Sequence, residues 1–318
     1  YLGLALLFKV VVPQKVMRFF PPIVTGPMII LIGLTLSGTA VSNASECWPL
    51  ALLAIGVIVV ANIWGKGMIK IIPILLGVLI PYVVALCLGM VDFSGAKDVA
   101  AVGLPPFVLA KFDMTAILVM APIAIAAMME HIGDISAISA TCGKNFIGDP
   151  GLHRTLVGDG IATALAGLFG GPANTTYGEN TGVLALSKVY DPRVVRLAAI
   201  YAVVLSFSPK FAAIINSIPT AIIGGVSFIL YGMISAVGVR NVVENRVDLT
   251  KSRNLIVAAV MFVCGLGFSG GITFQIGGAT ITLTALAIAA LAGVLMNAIL
   301  PGKDFEFVDP SAGDLGTY

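Results

Sequence analysis

Long uncharged apolar stretches, broken by short charged ones, dominate this sequence. Charged residues make up 11% of the 318 residues and hydrophobic residues 58%, whereas ordinary soluble domains carry about 25% charged residues. A helix that crosses a bilayer needs roughly 20 mainly apolar residues. The sequence therefore predicts an all-α polytopic membrane protein. This composition excludes a water-soluble globule and a disordered tail. It also excludes a nucleic-acid binder, because a net charge of +2 offers no basic face for phosphates.

The gaps between charged residues place the individual spans. We expect a short first run before Lys9 and an external loop over 92–113. Two spans are expected within 254–302, on either side of a Gly-rich break at 270–278. The remaining expected spans cover 22–39, 47–65, 71–91, 114–134, 156–170, 197–215 and 219–239.

The basic residues fall mainly on one side of these spans. Alternate loops hold fifteen of the 18 Lys and Arg residues, and the loops between them hold only Lys97, Lys111 and Lys210. Cytoplasmic loops carry the excess of Lys and Arg in membrane proteins. The split therefore predicts a cytoplasmic C-terminus with 301–318 as a cytoplasmic tail. A missed span would place basic residues on both sides of the membrane, so the uneven split also supports the number of spans.

The segment 170–190 does not fit a simple span. Residues 170–178 read GGPANTTYG, in which Gly and Pro disfavour a helix and Thr and Tyr tolerate extended backbone. The segment that follows, from Glu179 to Tyr190, has 12 residues, which as a helix is only long enough for about half a bilayer. Non-helical backbone at membrane depth must be buried in protein or line a cavity. We therefore expect an extended piece followed by a half-helix at a transporter substrate site.

Two similar span openings and the number of segments suggest internal repeats. The openings PPIVTG at 21–26 and IPTAIIG at 218–224 are alike, and seven segments follow Asp113 while four precede it. Repeats with an odd number of spans are inverted in the membrane. We therefore expect inverted seven-segment repeats with the first three segments missing. Tyr1 already lies in an apolar run without an initiator Met, which fits a chain that lacks its natural N-terminus.

Four carboxylates lie within the expected spans rather than in loops: Glu130, Asp134, Asp159 and Glu179. An ionisable residue in hydrocarbon is expensive and by default marks a functional site. Solvation or capping near the interface is the alternative for Asp134 and Asp159, and helix capping alone is the alternative for Glu179. Burial favours the protonated form of a carboxyl, so such groups suit proton coupling.

Glu130 and Asp134 are four residues apart and share one helix face, while His131 points elsewhere. His131 either makes a hydrogen bond to a neighbouring helix or relays a proton.

The sequence gives little support for a metal site or a cofactor. The four cysteines are scattered without a CxxC pair, and there are two histidines. We therefore expect no metal site and no cofactor.

Several motifs resemble one transporter family. The stretch NTTYGENTG at 174–182, continuing to Ser187 and Lys188, is similar to the signature of the nucleobase–ascorbate transporter family, also called nucleobase:cation symporter-2. Glu179, Asn180, Gly182 and Lys188 match that signature, and Ser187 replaces its usual Thr. The stretches MEHIGD at 129–134, DPGLHR at 149–154 and GDG at 158–160 also resemble bacterial members, uracil–proton symporters above all.

The resemblance implies a function and a site. It implies a proton-coupled symporter that imports uracil, in the bacterial cytoplasmic membrane. Glu130 and Glu179 would bind the base with help from Tyr177 and the Gly178 backbone. Proton coupling would involve Glu130, Asp134 and His131.

The resemblance also implies a division into two domains. A core domain would comprise 1–12 and 114–215, and a gate domain 22–92 and 219–300. Alternating access would move one domain against the other, and a homodimer would form through the gate.

One departure from the family pattern keeps an alternative substrate open. Asp134 stands where uracil symporters carry a second His, and purine members often have Gly-Asp there, so a xanthine or purine symporter is the alternative. An intramembrane aspartyl protease is the enzyme alternative, because Gly133-Asp134 and Gly158-Asp159 resemble its Gly-Asp motif. That dipeptide leaves Glu179 and the broken helix unexplained, so we expect no enzymatic activity.

Overall fold

The computed structural model describes most of the chain as helices with short connections. It describes residues 1–10, 21–97, 99–105, 107–144, 146–177, 180, 184, 189–276 and 279–302. In chain order the described helices are α1 (Leu2–Val10), α2 (Pro22–Ser45), α3 (Trp48–Ile63), α4 (Met68–Ile71), α5 (Pro73–Cys87), α6 (Ser94–Lys97), α7 (Met114–Cys142), α8 (Leu152–Leu168), α9 (Pro192–Ser206), α10 (Pro209–Asn216), α11 (Thr220–Glu244), α12 (Ser252–Gly267) and α13 (Ala285–Ile299).

Several helices begin at residues that cap them. Asp191 accepts a hydrogen bond from the backbone N–H of Arg193 at the start of α9. Thr284 accepts one from Ala287 at the start of α13. Such caps satisfy N–H groups that have no partner within the helix, so these helix starts follow from local sequence.

Two described helices are long and apolar enough to cross a membrane, α2 with 24 residues and α11 with 25. Shorter apolar helices, α3, α5, α12 and α13, occupy other stretches where we expect spans. The 16 residues of α3 extend about 24 Å. Its ends carry the chain's two tryptophans, Trp48 and Trp64, both exposed. Tryptophan is enriched at membrane interfaces, which suits a short span between them.

The expected span 197–215 is not one straight helix. α9 and α10 meet at a bend of 95°. Pro209 opens α10, and a residue before proline is pushed out of the helical region. Ser208 supplies the new cap, accepting from the backbone N–H of Phe211 at 3.3 Å and donating to the carbonyl of Ala101 at 2.8 Å. The structure therefore has a broken span or a re-entrant loop at this point.

A β-hairpin lies where the sequence suggested only a Gly-rich break. Strand β1 (Ile272–Ile276) pairs antiparallel with β2 (Ala279–Leu283), and Ile276 is opposite Ala279. That register leaves a two-residue connection, and the sequence there is Gly-Gly, which suits a tight hairpin turn. The strands read ITFQI and ATITL. Alternating β-branched residues favour strands, so the mainly helical fold contains a small sheet.

The chain forms two compact units. The first comprises Tyr1–Thr35, Leu109–Thr181 and Met233–Tyr318, and the second Leu36–Val108 and Gly182–Gly232. The division into core and gate domains stays a prediction.

Each unit has apolar cores of its own. In the first unit, α2 packs on α12 and α13 through Met28, Leu31 and Met261. A separate cluster in that unit joins α1, α7 and α8 through Ala5, Ile132 and Leu156. In the second unit, Ile58, Ala85 and Ile222 belong to one cluster.

Glycines allow the closest helix contacts. In the first unit, a Cβ on Gly238 of α11 would lie 2.6 Å from the backbone N of Ile30 and 2.9 Å from the carbonyl O of Gly26. Ser235 donates to the carbonyl of Ile30 at 3.0 Å. Small residues let membrane helices approach so that backbones touch. The contact between α2 and α11 in this unit therefore depends on the absence of a side chain at position 238.

Gly238→Ala should lower stability, because the new methyl group would meet backbone rather than a side chain that can move. Overpacking of this kind costs about 1–3 kcal/mol. Gly232→Ala is the matched control on the same helix, since a Cβ at Gly232 meets nothing within 4 Å. It should be neutral or stabilising by up to about 1 kcal/mol. Thermal unfolding in detergent measures both, and equal transition temperatures would contradict this account of the contact.

Candidate functional site

A buried histidine joins three parts of the first unit. His131 lies on α7 and is 4% exposed. Thr155 and Asp159 lie four residues apart on α8, so they share one face of that helix. Thr176 lies in the non-helical stretch 171–177, which follows Gly170 with its positive φ of 81°. A turn that glycine favours therefore ends α8 and returns the chain toward α7.

The two ring nitrogens of His131 have different partners. Nδ1 lies 2.7 Å from Thr176 Oγ1 and 3.3 Å from Asp159 Oδ2. Nε2 lies 3.0 Å from Thr155 Oγ1. The hydroxyl of Thr176 donates to Asp159 Oδ2 at 3.3 Å. We call these four residues the His131 network.

The hydrogen bonds of the network indicate which nitrogen carries the proton. With the Thr176 hydroxyl donating to Asp159 Oδ2, its oxygen accepts from His131, so Nδ1 bears a hydrogen. A neutral ring then accepts at Nε2 from the Thr155 hydroxyl. That hydroxyl has a second acceptor within reach, the carbonyl of Leu152 at 3.1 Å.

The network can therefore bind one additional proton without moving a heavy atom. If Nε2 is also protonated, it donates to Thr155 Oγ1, and the Thr155 hydroxyl turns to the carbonyl of Leu152. Asp159 Oδ2 lies 3.3 Å from Nδ1, next to the imidazolium that this forms. The two ring nitrogens and the two threonine hydroxyls therefore keep partners in both states.

Apolar residues enclose this network. The ring of Tyr1 meets the His131 ring edge to face, with centroids 6.1 Å apart and an interplanar angle of 87°. Ile132, next to the histidine, is 1% exposed and packs in the cluster with Ala5 and Leu156. The low dielectric of such surroundings strengthens the hydrogen bonds made inside.

Two of the other acids expected in the site, Glu130 and Asp134, belong to the same helix as His131. Asp134 lies on α7 and is 2% exposed. The backbone of Glu130 lies one turn earlier on α7. The structure therefore places the acidic pair four residues apart on one helix, as the spacing predicted, and buries Asp134 away from solvent.

The stretch before the signature is non-helical, as expected from its Gly and Pro residues. Tyr177 at its end is 61% exposed. The backbone N–H of Asn180 donates to the carbonyl of Tyr177 at 3.2 Å. Gly178 and Glu179, both expected to bind substrate, lie outside the described residues.

Sequence reasoning missed the two threonines of the network. Thr155 and Thr176 are 24 and 45 residues from His131 in the chain, and no local pattern connects them. The only local signal is the spacing of Thr155 and Asp159 on one helix face. Within the part of the chain that the structure describes, no three His, Cys, Asp or Glu side chains come together as a metal site.

Comparison with known proteins gives a consistent result. A family model described as Permease family matches residues 2–274. The uracil permease of Bacillus caldolyticus is 39% identical over 314 residues, covering 94% of this chain and 72% of that relative. A probable uracil permease of Haemophilus influenzae is 38% identical over 310 residues, covering 95% and 74%. A putative pyrimidine permease of Escherichia coli is 38% identical over 304 residues, covering 92% and 67%.

These matches confirm the family that the signature around Glu179 indicated. Their names are those of transporters rather than enzymes, and the apolar helices fit a membrane protein. The chain belongs to the nucleobase–ascorbate transporter family of permeases.

Proposed function

We propose that this protein is a proton-coupled symporter that imports uracil across the bacterial cytoplasmic membrane. The observation that carries this proposal is the identity of 36–39% to several uracil permeases over most of the chain. The acidic signature residue Glu179 supports it, because the resemblance associates Glu at that position with uracil. The burial of Asp134 in an apolar helix supports the coupling, because burial favours the protonated form of a carboxyl.

The proposed substrate site joins two acids to backbone donors. Uracil offers two ring N–H donors and two carbonyl acceptors. An ionised carboxylate only accepts hydrogen bonds, so Glu179 suits a ring N–H group. The carboxyl of Glu130, once protonated, can accept from the other N–H through its carbonyl oxygen or donate to a uracil carbonyl. Backbone N–H groups at the start of a helix are unpaired, so the chain around Tyr177 and Gly178 suits a uracil carbonyl.

Proton coupling is assigned to Glu130, with Asp134 and His131 as its neighbours on α7. Asp134 is nearly inaccessible to solvent, and two nearby acids on one helix face disfavour simultaneous ionisation. A proton taken up from outside would neutralise this pair while the base binds. Release of base and proton together to the cytoplasm would follow.

Transport would proceed by motion of a core domain, 1–12 and 114–215, against a gate domain, 22–92 and 219–300. The gate would also form a homodimer, and the C-terminus would lie in the cytoplasm. The excess of Lys and Arg in alternate loops supports this orientation. No cofactor is part of this mechanism.

A xanthine or purine symporter of the same family is the second candidate. The observation that favours it is Gly133-Asp134, which by the family resemblance stands where uracil symporters carry Gly-His. Family membership argues against an intramembrane aspartyl protease. Competition between labelled uracil and unlabelled xanthine separates the two transport candidates.

Glu179→Gln should weaken uracil binding, because the amide keeps the size of the side chain but replaces an oxygen that only accepts with a mixed donor and acceptor. The loss of one charge-assisted hydrogen bond should cost about 1.5–3 kcal/mol. Glu46→Gln, at an exposed position after α2, is the matched control and should bind as the wild type does. Isothermal titration with uracil measures both, and unchanged affinity in Glu179→Gln would remove this residue from the site.

Uracil uptake should depend on a proton gradient and be indifferent to sodium. The protein in proteoliposomes, with the pH and sodium gradients imposed separately, gives the measurement. Uptake should collapse when an ionophore abolishes the proton gradient, because coupling is assigned to protonated acids on α7. Uptake driven by the sodium gradient alone would contradict proton coupling and place the protein in a sodium-dependent branch.

A further inference from the structure

We propose that His131 is a positioning residue that fixes the non-helical stretch 171–177 and thereby sets base affinity at Tyr177. The proposal rests on the proposed function for its substrate and on the His131 network for its geometry. It assigns His131 a role through Thr176 rather than a direct contact with the base.

The stretch 171–177 has few side-chain anchors in the described structure. Gly171, Pro172, Ala173 and Asn174 are exposed. The hydroxyl of Thr163 on α8 donates to the carbonyl of Asn174 at 3.2 Å, at an exposed site. Thr176 is half-buried and bonds both His131 and Asp159. A hydrogen bond partly shielded from water resists breaking more than a fully exposed one, so Thr176 is the stronger anchor of this stretch.

The position of Thr176 limits where Tyr177 can lie, because the two residues are adjacent in the chain. Thr176 is hydrogen-bonded to the His131 ring. Tyr177 is 61% exposed, so the residue that follows this anchor is accessible to a ligand.

The shape of the imidazole ring explains why histidine stands here. It places one nitrogen toward Thr176 and the other toward Thr155 on α8. Asparagine can put a polar atom near the Nδ1 position, and glutamine can put one near the Nε2 position. The two amides therefore separate the bond that holds the stretch from the bond that only joins α7 to α8.

The test compares His131→Asn, His131→Gln, Thr176→Val and Thr155→Val in proteoliposomes. His131→Gln and Thr176→Val lose the bond to the stretch, so KM for uracil should rise roughly 3- to 10-fold, the worth of one hydrogen bond. His131→Asn should be closer to the wild type than His131→Gln, and Thr155→Val should raise KM less than Thr176→Val. Ser139→Ala, on α7 and outside the network, is the control with wild-type KM.

Hydrogen–deuterium exchange of the peptide covering 171–177 gives a second readout that does not need transport. Exchange there should be faster in His131→Gln and Thr176→Val than in Thr155→Val and Ser139→Ala. Equal exchange and equal KM in Thr155→Val and Thr176→Val would show that His131 only packs helices, and would overturn the proposal. If the wild type takes up no uracil, the proposed function fails, while the exchange rates still decide whether His131 positions the stretch.

Discussion

The imidazole of His131 is the polar group on which the arrangement of α7, α8 and the stretch 171–177 depends. It is buried among apolar residues of a membrane protein, where an unpaired donor or acceptor cannot turn to water. Leaving one such group unpaired costs about 1–3 kcal/mol. Thr155, Asp159 and Thr176 meet this requirement from two other parts of the chain, so all three parts must hold one mutual geometry.

The apolar parts of the chain supply the rigid support for this network. Lipid gives helices no hydrophobic reason to associate, so close packing has to hold them together. The first unit achieves this with side-chain clusters such as that of Ile132 and with glycine at Gly238, where helix backbones touch. Gly160 on α8 also allows a close approach, since a Cβ there would lie 2.8 Å from Cβ of Tyr1, the residue before α1. Glycine thus packs α1 against the helix that carries Asp159.

The sequence predicted much of this fold because hydropathy and charge are local signals. Helices lie on the stretches between charges, and Gly170 and Pro172 end the helix where a break was expected. The hairpin was missed although its alternating Ile and Thr residues and Gly-Gly turn are visible, because its apolar content also suits a span. The bend before Pro209 was missed for the same reason. The pairing of His131 with Thr155 and Thr176 was out of reach, because it arises only when distant segments pack.

The central claim is that acids in an apolar bundle couple a proton to base import, and Glu130 tests it most directly. The measurement is uracil binding from pH 5 to pH 9, with uptake against a gradient, for wild type and Glu130→Gln. A neutral amide imitates the protonated acid, so the variant should bind uracil with little pH dependence and fail to accumulate it. The wild type should bind more tightly at low pH. A variant that keeps the wild-type pH profile and still accumulates uracil would contradict the account.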